Sequence, residues 1–177
     1  MASGASGTNF SDVATTLTNP PVDVNLTAIS GDSRPLQEWL TTFHLASVVL
    51  DPYTNEAAWI LQTARRVLNH FSGAAVRTNF ILTCGPEEAR QFLGPIADEI
   101  LAFCDPNRIF IKALGLEELP AFVLLRSDVT VAASAQGWNA SEWQKVADAI
   151  AELTSWTSTH LPAAGDPGSF KGTPALG

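Results

Sequence analysis

The chain has 177 residues, 46% hydrophobic and 16% charged, which suits one globular domain with tails and supplies enough apolar side chain for a core, so disorder throughout is excluded. Acidic residues outnumber basic ones 18 to 10, giving a net charge of −8. With no basic cluster to offset it, such a surface repels phosphate backbones and anionic headgroups, which argues against nucleic acid and membrane insertion.

Residues 1–20 are rich in Gly, Ser, Thr and Asn and end in Pro20-Pro21, the pattern of a flexible arm. They carry neither the positive nor the apolar region of a secretory signal, and no stretch of the chain approaches the roughly 18–20 apolar residues of a membrane span. The expectation is a cytoplasmic protein. Residues 22–29 alternate apolar and polar side chains with a β-branched bias, which predicts a strand. Pro35, just after Gly31-Asp32-Ser33, predicts a short helix over 34–43. The apolar run 45–50 reads as a strand covered on both faces. From Asn55, Ala57, Ile60, Leu61, Ala64, Val67, Leu68 and Phe71 fall on one helical face, and Ser72-Gly73 ends the helix.

Residues 76–83 predict a second central strand, and Pro86-Glu87-Glu88 opens a helix whose acids suit the positive end of its dipole. Gly94-Pro95 should kink or split that helix, which then resumes through Ile96, Ile100 and Phe103. Residues 108–114 read equally as strand or helical turn. Residues 121–126 and 129–135 form a hairpin around Ser127-Asp128. Asn139 with Glu142 makes a capping box for a last helix that buries Trp143, Val146, Ala147, Ile150 and Leu153. The pattern as a whole is an α/β layered domain with a mixed sheet over residues 21–156. Three prolines and four glycines in 157–177 predict a loose tail, with Phe170 the one aromatic anchor if it docks.

Residues 105–137, DPNRIFIKALGLEELPAFVLLRSDVTVAASAQG, resemble the C-terminal half of the thioredoxin superfamily, most of all its branch of thiol-disulfide reductases and alkyl hydroperoxide reductase-like proteins. Leu114-Gly115-Leu116-Glu117-Glu118-Leu119-Pro120 matches the family's element that ends in a cis-proline facing the active site. The resemblance implies a thioredoxin-like fold with a central mixed sheet flanked by helices, and a helix over 108–114. It also implies a nucleophilic cysteine at the start of the helix from 55, where the dipole lowers a thiol pKa. The corresponding window, Thr54-Asn55-Glu56-Ala57, has no cysteine, and the peroxidase variant of the site would need one at Ala57. A hydroxyl cannot replace the sulfur in disulfide exchange, so the dithiol and peroxidase mechanisms are excluded.

Two cysteines remain, Cys84 and Cys104, 20 positions apart. Cys84, in Thr83-Cys84-Gly85-Pro86-Glu87, lies before a helix start and is the alternative redox residue of a monothiol oxidoreductase or sensor; Glu87 and Glu88 oppose thiolate formation there. Cys104 reads as core. The cysteines and His44, His70 and His160 show no metal-ligand spacing, so no metal site is expected. Phosphate-loop and dinucleotide fingerprints are absent, and no cofactor is expected. Asp51 has no histidine or second carboxylate beside it in sequence to make a hydrolase constellation. The leading expectation is a redox-inactive thioredoxin-like protein that binds a protein or peptide partner in a groove formed by Tyr53, Thr54, Asn55, Leu119 and Pro120. Relatives pair an extended peptide with the backbone beside that proline, which needs no sulfur. A third reading makes residues 157–177 a tether.

Overall fold

A computed structural model of the chain describes residues 17–177, so most of the expected 1–20 arm lies outside the described residues. The elements in chain order are β1 (Asn25–Ala28), β2 (Ser33–Pro35), α1 (Leu36–Trp39), β3 (His44–Leu50), α2 (Asn55–His70), β4 (Val76–Leu82) and α3 (Pro86–Leu93). A 3-10 turn (Gly94–Asp98) leads to β5 (Leu101–Cys104), α4 (Ile109–Leu114), β6 (Glu118–Leu119), β7 (Ala121–Leu125), β8 (Val131–Gln136), α5 (Ala140–Thr154) and β9 (Thr173–Pro174). The seven-stranded sheet has the order β2-β1-β5-β4-β3-β7-β8. β3, β4 and β5 run parallel, and the strands outside them pair antiparallel.

The period of two along each central strand divides the core into two layers. Val48, Leu50, Phe80, Leu82, Phe122 and Leu124 face α2 and α5, where Ile60, Ala64, Trp143 and Ile150 pack. Leu45, Val49, Ile81, Phe103, Val123 and Leu125 face α1 and α4, against Leu36, Trp39, Phe110 and Leu114. Coverage of both faces explains why β7 reads as an unbroken apolar run and β3 as one interrupted only by the buried Ser47 after His44. Asn139 caps α5 as its sequence predicts, its Oδ1 accepting the N–H groups of Ser141 at 3.0 Å and Glu142 at 3.1 Å.

Three expectations are corrected. The helix expected to resume through Phe103 does not: after α3, Gly94 takes a left-handed φ of +57° and a single 3-10 turn follows. Residues 101–104 then form β5, the strand between β1 and β4. Ala102 and Cys104 point to one core layer and Phe103 to the other; periodicity cannot separate helix from strand in so short an apolar run. Cys104 is therefore a strand residue. The helix expected over 34–43 is only the four residues of α1, because Ser33–Pro35 pairs with β1 instead.

The expected loose tail is the third correction, because residues 157–177 lie along the body. Trp156 Nε1 donates to His70 O at 3.0 Å, and Gln144 holds the chain on both sides through Thr159 O and Leu161 N–H, each at 2.7 Å. Leu161 is buried in the layer against α2 and α5. Asp166 is ion-paired with Arg66 of α2, and β9 pairs with β6. At the other end, Thr18 N–H donates to Leu114 O at 2.9 Å and Asn19 Oδ1 accepts from Val131 N–H at 2.8 Å. Among the described residues no helix is long and apolar enough to cross a membrane.

Candidate functional site

The parallel strands β3, β4 and β5 end side by side, and the loops leaving them carry Asp51, Cys84 and Asp105. The register Val49↔Ala121 brings the start of β7, and so Pro120, to the same end of the sheet. The Leu119–Pro120 peptide bond is cis.

The residues of the expected groove differ in what they leave free. Tyr53 is 70% exposed. Desolvation, with Glu88, Cys84 and Asp51 adding to it, raises its phenol above the ordinary 10. Thr54 is the cap of α2: its hydroxyl accepts the Ala57 N–H at 3.3 Å and donates to Asp51 O at 2.7 Å. Asn55 is exposed on the first turn, whereas Leu119 and Pro120 are buried. The segment Thr54–Ala57 thus occupies the helix start at which the family's sulfur would sit, and offers a spent hydroxyl and a buried methyl group there.

Both thiols are free and buried. Cys84 is 2% exposed, and burial, helped by Cys104, Glu88 and Asp51, pushes its thiol up to about 12. Burial likewise raises the Cys104 thiol. Neither thiol has the electropositive, accessible setting that a nucleophilic cysteine needs.

Three further residues organise this end of the molecule. Asp51 accepts from Tyr53 N–H at 3.1 Å and from Arg108 Nη2 at 3.2 Å. Arg108, with a left-handed φ of 58°, also donates through Nη1 to Ala175 O at 2.6 Å, so one guanidinium joins the β3–α2 loop to the C-terminal segment. Asp105 accepts the N–H groups of Ile109, Phe110 and Ile111 at 3.0–3.1 Å and caps α4. Its burial raises the carboxyl above the ordinary value, against the opposing pull of those bonds and of Arg108. Sequence reading missed Arg108 because its partners lie 57 and 67 positions away; the Asp-Pro-Asn start of the loop was the one signal for the Asp105 cap.

The edge beside Pro120 is occupied. Leu119 pairs with Thr173 and Glu118 with Pro174 in antiparallel register, and Ala175 N–H donates to Glu117 O at 2.9 Å. Upstream, Phe170 and Trp138 exchange backbone hydrogen bonds at 3.0 Å in both directions.

This arrangement is that of the thioredoxin fold. No protein-family model and no curated protein sequence matches the chain. Solved structures do. A secreted Mycobacterium tuberculosis disulfide oxidoreductase homologous to Escherichia coli DsbE is 16% identical, with 75% of this chain and 97% of that one covered at a TM-score of 0.58. Peroxiredoxin Q of Xanthomonas campestris is 12% identical over 78% of this chain and 96% of that one, TM-score 0.62. A hypothetical protein of Sinorhizobium meliloti is 17% identical over 91% and 94%, TM-score 0.61. At these identities the likeness is one of fold, since chemistry resides in the site residues.

Proposed function

We propose that the chain is a redox-inactive thioredoxin-fold protein that binds an extended protein or peptide segment in the groove beside Leu119 and Pro120, with Tyr53, Thr54 and Asn55 as the facing wall. The observation that carries this reading is the pairing of β6 with β9: the edge beside Pro120 has the hydrogen-bonding geometry for an added strand and already holds one. Strand addition draws its affinity from main-chain bonds and its specificity from alternate side chains, and uses no sulfur. The missing cysteine in Thr54–Ala57 and the burial of Cys84 support the redox-inactive part.

The test is a peptide-display selection on the intact chain, followed by mapping of the selected peptides through backbone amide shifts. Shifts are expected at residues 117–121 and 53–55; binding mapped to another face refutes the proposal. Disulfide-reductase and peroxidase assays run in parallel on the wild type and Cys84→Ala. Turnover that disappears in Cys84→Ala would replace this reading with the monothiol oxidoreductase.

A further inference from the structure

The occupant of the edge is the chain's own residues 170–175, Phe-Lys-Gly-Thr-Pro-Ala, and its contacts differ sharply from position to position. The Phe170 ring meets Trp59 edge to face, centroids 5.5 Å apart, and Trp59 is itself 55% exposed, so the aromatic slot opens to solvent. Lys171 is exposed. Gly172 lies so close to the edge that a Cβ on it would come within 2.8 Å of Leu119 O and 2.9 Å of Glu118 Cβ, while its N–H donates to Glu118 Oε1 at 3.2 Å. Glycine is the one residue that fits there. Pro174 points to solvent, as a residue without an N–H can on an edge strand. Ala175 is 1% exposed, donates to Glu117 O and accepts from Arg108, which leaves space for a small side chain and no more.

We infer that the groove selects an extended segment of the pattern aromatic-x-Gly-x-x-Ala, and that residues 170–175 are its resident, displaceable copy. The inference rests on the proposed strand-addition reading and gives its ligand class. Displacement is feasible because the resident strand pairs over only two residues and hangs from a Gly- and Pro-containing segment, and because an incoming segment of the same pattern remakes the same bonds. A tethered resident competes at the effective concentration set by its linker, so ligand affinity for the intact chain is the intrinsic affinity multiplied by the fraction of molecules in which the groove is open.

The experiment uses the full-length chain and a fluorescent peptide of sequence GSFKGTPALG, read by anisotropy. Two variants dislodge the resident: Gly172→Val through the close approach to Leu119 and Glu118, and Ala175→Glu through the buried methyl pocket. Both should bind the peptide at least about 10-fold more tightly than the wild type, and a peptide with valine at the glycine position should bind neither. Equal affinity for all three proteins, absence of binding to both variants, or indifference to the glycine overturns the inference. So does continued hydrogen-exchange protection of residue 175 in both variants, because the resident is then not displaceable. Display-selected peptides of a different pattern that still map to 117–121 would refute this pattern and leave the proposed function standing. Peptides that map elsewhere would refute the proposed function itself.

Discussion

Replacing Asp166 with alanine removes, in one step, the acceptor of four hydrogen bonds, three that hold the C-terminal segment against α2 and one from within the segment itself. The carboxylate takes Arg66 Nη1 and Nη2 at 2.6 and 2.9 Å, Thr63 Oγ1 at 2.8 Å and Ala163 N–H at 2.7 Å. Its side chain is only 2% exposed. Breaking a buried ion pair from one side costs about 3–5 kcal/mol when the orphaned charge stays buried. Here the Arg66 side chain keeps 37% of its surface in water and rehydrates, which removes part of that penalty. The Thr63 hydroxyl and Ala163 N–H still lose their partner, so about 2–3 kcal/mol is expected against docking of the segment.

That energy converts to about 30- to 150-fold faster exchange through local opening. The reporter is the Phe170 N–H, which donates to Trp138 O at 3.0 Å and touches no atom of Asp166 that the substitution deletes. The Phe80 N–H in the central strand β4 is the control and should not change. An acceleration at Phe170 of less than about threefold, with Phe80 constant, refutes the claim that Asp166 pins the segment. The pH dependence has a definite sign. Burial raises the Asp166 carboxyl, but hydrogen bonds from Arg66, Ala163 and Thr63 outweigh it and hold the folded value below the ordinary 3.8. A lowered folded value gives a contribution that is complete above 3.8 and lost as pH falls through the folded value. Acid should therefore loosen residues 163–175 in the wild type and have little further effect in Asp166→Ala.

Native alkylation of Cys84 and Cys104 at pH 8 should be at least about 100-fold slower than in the urea-unfolded chain; a Cys84 that reacts at the unfolded rate refutes its burial. Glu99 accepts from Arg65 Nε at 2.7 Å and Nη2 at 2.6 Å and from Asn69 Nδ2 at 2.6 Å, and these bonds hold its carboxyl at about 2 against an ordinary 4.5. Its contribution is complete above 4.5 and disappears as pH falls toward about 2, so Arg65→Leu should move the Glu99 titration upward by NMR. A titration that stays put refutes the pairing. Asp105→Ala leaves three N–H groups at the start of α4 without their acceptor and should lower stability by about 1–3 kcal/mol in urea unfolding; a loss below about 0.5 kcal/mol refutes the cap.

The scaffold was legible because its signals are local. The i, i+3, i+4 stripe from Ala57 to Phe71 and the apolar run of β7 each lie within one element, and each element buries what its pattern offers, one face for the helix and both for the strand. Asn139 and Thr54 act as caps within three residues of themselves. The misreadings arose where tertiary pairing overrides a local signal. Residues 101–104 contain no feature that favours strand until β1 and β4 flank them, and Ser33–Pro35 follows β1 although Pro35 suits a helix start. The candidate site divides the same way. Thr54 and Pro120 could be placed from sequence, but Arg108 acquires its role only when Asp51 and Ala175 converge on it.

The C-terminal segment shows why composition misled there. Proline and glycine argue against order because most elements have no use for a residue without an N–H or without a Cβ. An edge strand against a crowded backbone uses both. Pro174 sits where an N–H would face solvent, and Gly172 sits where a Cβ would strike Leu119 O. The ordering then depends on a few spaced anchors, Leu161, Asp166, Phe170 and Ala175, and not on a continuous apolar face. The contacts that dock these anchors on the body join residues far apart in the chain, Leu161 to Gln144, Asp166 to Arg66, Phe170 to Trp138 and Ala175 to Glu117, so the pattern of the segment alone does not contain both halves of them. The same geometry that makes the segment illegible in sequence makes it specific in space. A chain lacking a glycine at the close approach, or a small residue five positions after the aromatic, cannot take its place on this edge.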